Sequence, residues 1–131
     1  MPNPSTALTD ARRNRAAAWK AWLVPVILGT VALALALVTR FVWIENRELG
    51  LACGDLPAPW WCGLRQAMWQ FHQANGWGLI ALGAGVGGLL FRLYPLALIG
   101  MVFGLFGIVL YNAGLAAVGL VAALLLVFRR R

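Results

Sequence analysis

This chain is poor in the groups that aqueous chemistry normally uses. Only 11% of its 131 residues are charged, with four acidic side chains and one histidine. No Ser-His-Asp set, phosphate-cradling glycine loop or metal-ligand cluster emerges from the spacing of the remainder. The middles of the long apolar stretches carry no Asp, Glu, Lys or His, and so lack the ionisable group that an ion- or proton-coupled transporter places near a bilayer centre. Two cysteines eight positions of intervening chain apart, Cys53 and Cys62, are too few for the relay of close Cys pairs used in thiol–quinone electron transfer. One histidine supplies only one of the two axial ligands of a six-coordinate haem.

What is abundant is apolar surface. Hydrophobic residues make up 62% of the chain, outside the range of soluble domains. They fall into four stretches, Trp22–Thr39, Gly76–Phe91, Pro95–Leu110 and Ala113–Phe128. Threading these through a bilayer from an inside N-terminus places Arg12, Arg13, Arg15, Lys20, Arg92, Arg129, Arg130 and Arg131 inside, against Asp10 alone. The outer segments hold Arg40, Arg47 and Arg65 against Glu45, Glu48 and Asp55, which cancel. The whole net charge of +7 then lies inside, as the positive-inside bias requires. Anionic headgroups are the simplest partner for such flanking charge; no basic stripe or fold motif points to nucleic acid.

The expected fold is therefore an all-α bundle of four transmembrane helices with both termini cytoplasmic, in a bacterial inner membrane. Residues 1–21 read as a cytoplasmic tail followed by a basic interfacial amphipathic helix, Ala11–Trp22, with Thr9 or Asp10 as its N-cap and a bend at Pro25. Spans are expected at about 22–44, 68–91, 95–111 and 113–128, with an outer loop at 45–67 and a basic end at 129–131. The hydrophobic run after Ala34-Leu35-Ala36 is too long for a secretion signal, so the first span is expected to remain uncleaved. Both cysteines fall in the outer loop, facing an oxidising compartment where such a pair forms a disulfide. Arg40, one turn from that face, is expected to reach water or pair with Glu45. The segment Gly63–Asn75 is amphipathic, with Leu64, Met68 and Phe71 on one face. A break at Tyr111-Asn112-Ala113-Gly114 makes the last two spans a hairpin.

Three sets of residues stand out as candidates for function. Gly83, Gly87, Gly100, Gly104 and Gly107 have the small-residue spacing that lets helix backbones approach within a bundle or against a partner. Trp60, Trp61 and Trp69 suit interface anchoring or partner contact at the outer loop. His72 and Arg65 share a side near the outer face, where they are candidates for quinone or haem contact, although neither cofactor is required. Packing and anchoring features outnumber reactive groups. The expected function is thus a non-catalytic accessory, assembly or stabilising subunit, with a membrane protein or a second copy as partner. The alternatives are a quinone-linked thiol/disulfide protein and an oligomeric small transporter or channel. No family resemblance emerges from the residues.

Overall fold

The computed structural model describes residues 4–54 and 57–129, and among them it contains six α-helices, one π-helical turn and no strand. Helix α1 spans Pro4–Val38 and runs on into the π-helical turn Thr39–Ile44. Helices α2 (Arg47–Ala52) and α3 (Trp61–Gln73) follow, then α4 (Gly76–Phe91), α5 (Tyr94–Val109) and α6 (Ala113–Arg129). Met1–Asn3, Asp55, Leu56, Arg130 and Arg131 lie outside the described residues.

Two expectations for the N-terminal part are corrected. No surface helix separates from the first apolar helix at Pro25; the backbone is helical from Pro4 through Val38 with Pro25 inside it. Nor does helix formation wait for a cap at Thr9 or Asp10, since both lie within α1. The physical reason lies along the helix: Pro25, Gly29, Ala32 and Ala36 recur at three- and four-residue spacing, all but the half-buried Gly29 are buried, and the stripe packs α1 onto α5. A side chain at Gly29 would meet Met101 and Leu105. The proline removes one backbone bond, yet the helix continues through it, with Pro25 buried along the seam.

Helices α4, α5 and α6 pack on one another as the centre of the molecule. Their interior is made mostly of small residues, Ala81, Ala84, Ala97, Ala116, Ala122 and Ala123 with Gly85, Gly88, Gly100, Gly104, Gly107 and Gly119, joined by Met101, Leu126 and Val127. The close approaches are backbone to backbone. A Cβ on Gly100 would lie 2.6 Å from Gly85 N and one on Gly88 would lie 2.8 Å from Ala97 N. A Cβ on Gly85 would fall on the carbonyl of Gly119. Large apolar side chains, by contrast, point outward: Leu79, Leu90, Phe91, Ile99, Val118, Val121, Leu125 and Phe128 are all exposed. A water-soluble domain buries its largest apolar groups and keeps such residues inside. Here the order is reversed.

Between α3 and α4 the chain bends by 57°. Asn75 makes the bend in the left-handed conformation, φ 57°, which asparagine tolerates better than other residues with a Cβ. Gly76 follows because the Phe71 ring occupies the place of its side chain. The hairpin between α5 and α6 breaks at Leu110–Asn112, one residue earlier than the expected stretch and overlapping it only at Tyr111 and Asn112, because Ala113 and Gly114 already belong to α6; Tyr111 has φ 66°. Leu110 is fully buried and Asn112 is 6% exposed, so this turn is anchored into the bundle.

By length and composition one helix, Ala18–Ile44, suffices to cross a membrane. Helices α3 and α4 meet that standard only as a bent pair, while α5 and α6 are shorter apolar helices of 16 and 17 residues.

Candidate functional site in the disulfide-closed cap

The chain after α1 folds back over one end of the bundle. Asn46 caps α2 by accepting hydrogen bonds from the backbone N–H of Glu48 and Leu49. Immediately after α2, Cys53 is bonded to Cys62 in the first turn of α3, with their Cα atoms 5.7 Å apart. The bond ties two short helices that have no buried residues of their own.

A second tie joins the cap to the bundle. The Arg40 guanidinium donates from Nη1 to the carbonyl of Val109 (3.0 Å), from Nη2 to the Tyr111 hydroxyl (2.7 Å) and from Nε to the Glu45 carboxylate (2.9 Å). Tyr111 in turn donates its hydroxyl hydrogen to Glu45, closing the ring of contacts. The guanidinium carbon also lies 4.2 Å from the centre of the Tyr111 ring. Val109 ends α5, so its carbonyl is one of those a helix leaves without an internal partner. Thus Arg40 forms the Glu45 pair that was one of its two expected arrangements, and fastens the π-helical turn to the α5–α6 turn as well. The hydroxyl of Tyr111 and the Arg40 guanidinium hold the Glu45 carboxyl below its ordinary range.

Beside this latch is a cavity of about 320 Å³ whose walls include Trp43, Cys53, Cys62, Arg65, Trp69 and His72. Arg65 reaches across it from α3 and donates from Nη2 to the carbonyl of Ile44 (3.2 Å), so α3 is held to the end of the π-helical turn. The His72 ring lies 6.1 Å from Trp69 and 5.9 Å from Tyr111 between ring centres, and its backbone carbonyl accepts from the Asn112 side chain at 3.2 Å. Among the described residues Trp43 Nε1 and His72 Nδ1 are buried without a hydrogen-bond partner. Such atoms raise the free energy of the site as it stands.

The structure therefore brings the two cysteines, Arg65, Trp69 and His72 to one cavity. It separates the adjacent tryptophans: Trp60 is 85% exposed, whereas Trp61 is half-buried with its ring edge against Trp43 at 6.1 Å. Of the five glycines singled out by spacing, Gly100, Gly104 and Gly107 are buried at helix contacts. Gly83 faces open space and Gly87 meets only the end of the Leu96 side chain; the close contacts on α4 are at Gly85 and Gly88. Trp43 and Asn112 were missed. Trp43 lies inside an apolar run with nothing to separate it from other lipid-facing aromatics, and Asn112 stands out in the sequence only as one residue of a turn-forming stretch. No group of three or more His, Cys, Asp or Glu side chains converges among the described residues.

The cap can thus present Trp60 to a partner, hold a small ligand in the cavity, or exchange its disulfide with an incoming thiol. Compared with known protein families, curated proteins and solved structures, the chain matches none. Any functional reading therefore rests on this geometry.

Proposed function

We propose that this chain is a small integral membrane protein of the bacterial inner membrane, crossing four times with both termini cytoplasmic. In this reading it acts as a non-catalytic accessory, assembly or stabilising subunit of a larger membrane complex. The observation that carries the membrane assignment is the packing, with mostly alanine and glycine inside α4–α6 and most of the leucine, isoleucine, valine and phenylalanine outside, Met101, Leu110, Leu126 and Val127 excepted. In lipid the hydrophobic effect gives no reason to bury large apolar groups. Helices associate instead through close backbone contact, which small residues permit. Supporting it, Arg92 and Arg129 cap one end of the bundle, while Glu45, Glu48 and the disulfide lie at the other. Helices of 16 and 17 residues rise about 24–26 Å. They fit a bilayer by local thinning and by the reach of Arg92, Arg129, Tyr94 and Tyr111 at their ends.

The accessory role is supported by how little of the molecule is reactive. Its surface offers an exposed Trp60 on a cross-linked cap and long apolar flanks, both suited to contact with another membrane protein. Reporter fusions after residue 131 and within 57–60 test the topology, and purification in mild detergent identifies co-purifying subunits. A C-terminal reporter on the outer side, or extraction of the protein by alkaline carbonate, defeats the proposal.

One observation favours a second reading: the disulfide lines the same cavity as Arg65, Trp69 and His72. That arrangement suits a thiol/disulfide protein whose reduced cysteines pass two electrons to a quinone. Replacing both cysteines with serine separates the readings. Loss of stability alone supports the structural disulfide, and loss of quinone-dependent thiol oxidation in a folded protein supports the redox role.

A further inference from the structure

At the end of the bundle opposite the cap lies a second cavity, of about 290 Å³, lined by Leu89, Arg92, Leu126 and Arg129. We propose that it is a binding site for the phosphate of an anionic phospholipid, held between the Arg92 and Arg129 guanidinium groups. This rests on the membrane reading above and adds a specific ligand to it.

Three observations lead there. Among the described side chains neither arginine makes a hydrogen bond or an ion pair, and no carboxylate is among the described residues that line the cavity. Glu45 and Glu48 belong to the cap at the far end. The second observation is the backbone of Arg92. It follows the last turn of α4 at φ 55°, ψ 31°, and the N–H groups of Arg92 and Leu93 both close onto the carbonyl of Gly88. Glycine is the residue that suits this left-handed position, because a Cβ is disfavoured there. The turn itself gains nothing from arginine, and a non-glycine residue in this conformation points to work done by its side chain. Third, the floor of the cavity is apolar: Leu126 belongs to a buried cluster with Ala97, Met101, Ala123 and Val127, and Leu89 packs against it.

Two planar guanidinium forks over an apolar floor match a phosphodiester that carries acyl chains. The forks meet the anionic oxygens, as arginine does with phosphate. The leucines and the exposed Leu90, Phe91, Leu125 and Phe128 nearby in sequence offer the chains a surface to lie on. Free phosphate has the same oxygens but no use for that floor, and a zwitterionic headgroup offsets its phosphate with an ammonium.

The test uses the full chain extracted from membranes in mild detergent, titrated with phosphatidylglycerol or phosphatidylethanolamine and read by native mass spectrometry. Wild type is expected to retain phosphatidylglycerol in preference. Arg92→Gly, which suits the turn, and Arg129→Gln should each weaken that binding about fivefold, and together about thirtyfold, the ratio expected for one surface cation each. Arg47→Gln, exposed on α2 at the other end, should leave it unchanged. Equal retention of both lipids, or undiminished binding by the double variant with its helical content intact, would overturn the site. So would saturable binding of inorganic phosphate without lipid preference. A protein that resists carbonate extraction yet shows no lipid preference refutes this site alone, whereas one that carbonate releases refutes the membrane reading beneath it.

Discussion

Two glycines that spacing treats alike, Gly100 and Gly83, should respond in opposite ways to a single added methyl group. On α5, a Cβ at Gly100 would sit 2.6 Å from Gly85 N and 2.7 Å from Gly85 Cα, where ordinary contact begins near 3.4 Å. Both obstructing atoms are backbone, so no side chain can swing aside and the helices must separate. Overpacking of this kind costs about 1–3 kcal/mol. The intrinsic gain of alanine over glycine within a helix offsets at most about 1 kcal/mol of it. On α4, a Cβ at Gly83 meets nothing within 4 Å, so only the helix gain remains. Gly100→Ala should therefore destabilise by about 1–2 kcal/mol, while Gly83→Ala should be neutral or stabilising by a few tenths up to about 1 kcal/mol. Unfolding by sodium dodecyl sulfate in mixed micelles, followed through tryptophan fluorescence, measures both. Equal losses at the two positions would refute the backbone-contact account, because they would mean that α4 packs through the face the structure leaves open. Equal gains would refute it from the other side.

Four other outcomes follow from the cap and its anchors. Because Tyr111 and Arg40 hold the folded Glu45 carboxyl below its ordinary value of 4.5, the latch is fully present above that pH and is lost as pH falls through the lowered value. Protection from hydrogen exchange at 109–112, taken relative to the intrinsic rate at each pH, should therefore fall only in acid, and Glu45→Gln should remove that pH dependence; a loss of protection confined to neutral pH would count against the latch. Tyr111→Phe keeps the ring beneath Arg40 but removes the hydroxyl between Arg40 and Glu45, and should raise exchange in the same turn at neutral pH. Asn112→Ala removes the side-chain donor of the His72 carbonyl, which keeps the Asn75 N–H, and should destabilise by about 0.5–1.5 kcal/mol in the same unfolding assay, with no loss refuting the contact. Replacing Cys53 and Cys62 together should cost about 2–3 kcal/mol on the loop-entropy account, and limited proteolysis of 53–62 reports whether the cap has loosened.

How much of this was legible in the residues depended on whether a residue's neighbours lie along the chain or across it. The four apolar helices and the α5–α6 break were readable, because hydrophobic runs and an Asn-containing turn are local signals. The disulfide was readable for a similar reason, with two cysteines in one short outer segment. Pro25 misled because its local rule, to bend or end a helix, ignores the seam on α5 that Pro25, Gly29, Ala32 and Ala36 fill together. That stripe repeats with helical spacing and was overlooked within a run where almost every residue is apolar. Among the glycines of α4 the spacing Gly83–Gly87 and the pair Gly85–Gly88 are both helical neighbours, and only the position of α5 and α6 decides which face is used. The cavity drew Arg65, Trp69 and His72 from one visible helical face, but Trp43 arrives from the end of α1, and no sequence pattern marks that crossing.

The distribution of polar groups follows from what each part of the chain can satisfy locally. Within α4 to α6 the backbone bonds itself, small residues let neighbouring backbones touch, and no ionisable group has to be accommodated. Polar chemistry is confined to the ends, where helices stop and leave carbonyl groups without partners. Arg40 serves that need at Val109 and Arg65 serves it at Ile44, while Asn112 adds a second donor to the His72 carbonyl, which the Asn75 N–H already meets. Arg92 breaks the pattern: it stands at a helix end whose carbonyl is already closed by backbone N–H groups, in a conformation that glycine suits better. An arginine not engaged in mending its own fold is available to something outside it. Substitution by glycine is consequently the sharpest single probe of the chain, because it should preserve the turn while removing the one function that the turn does not require.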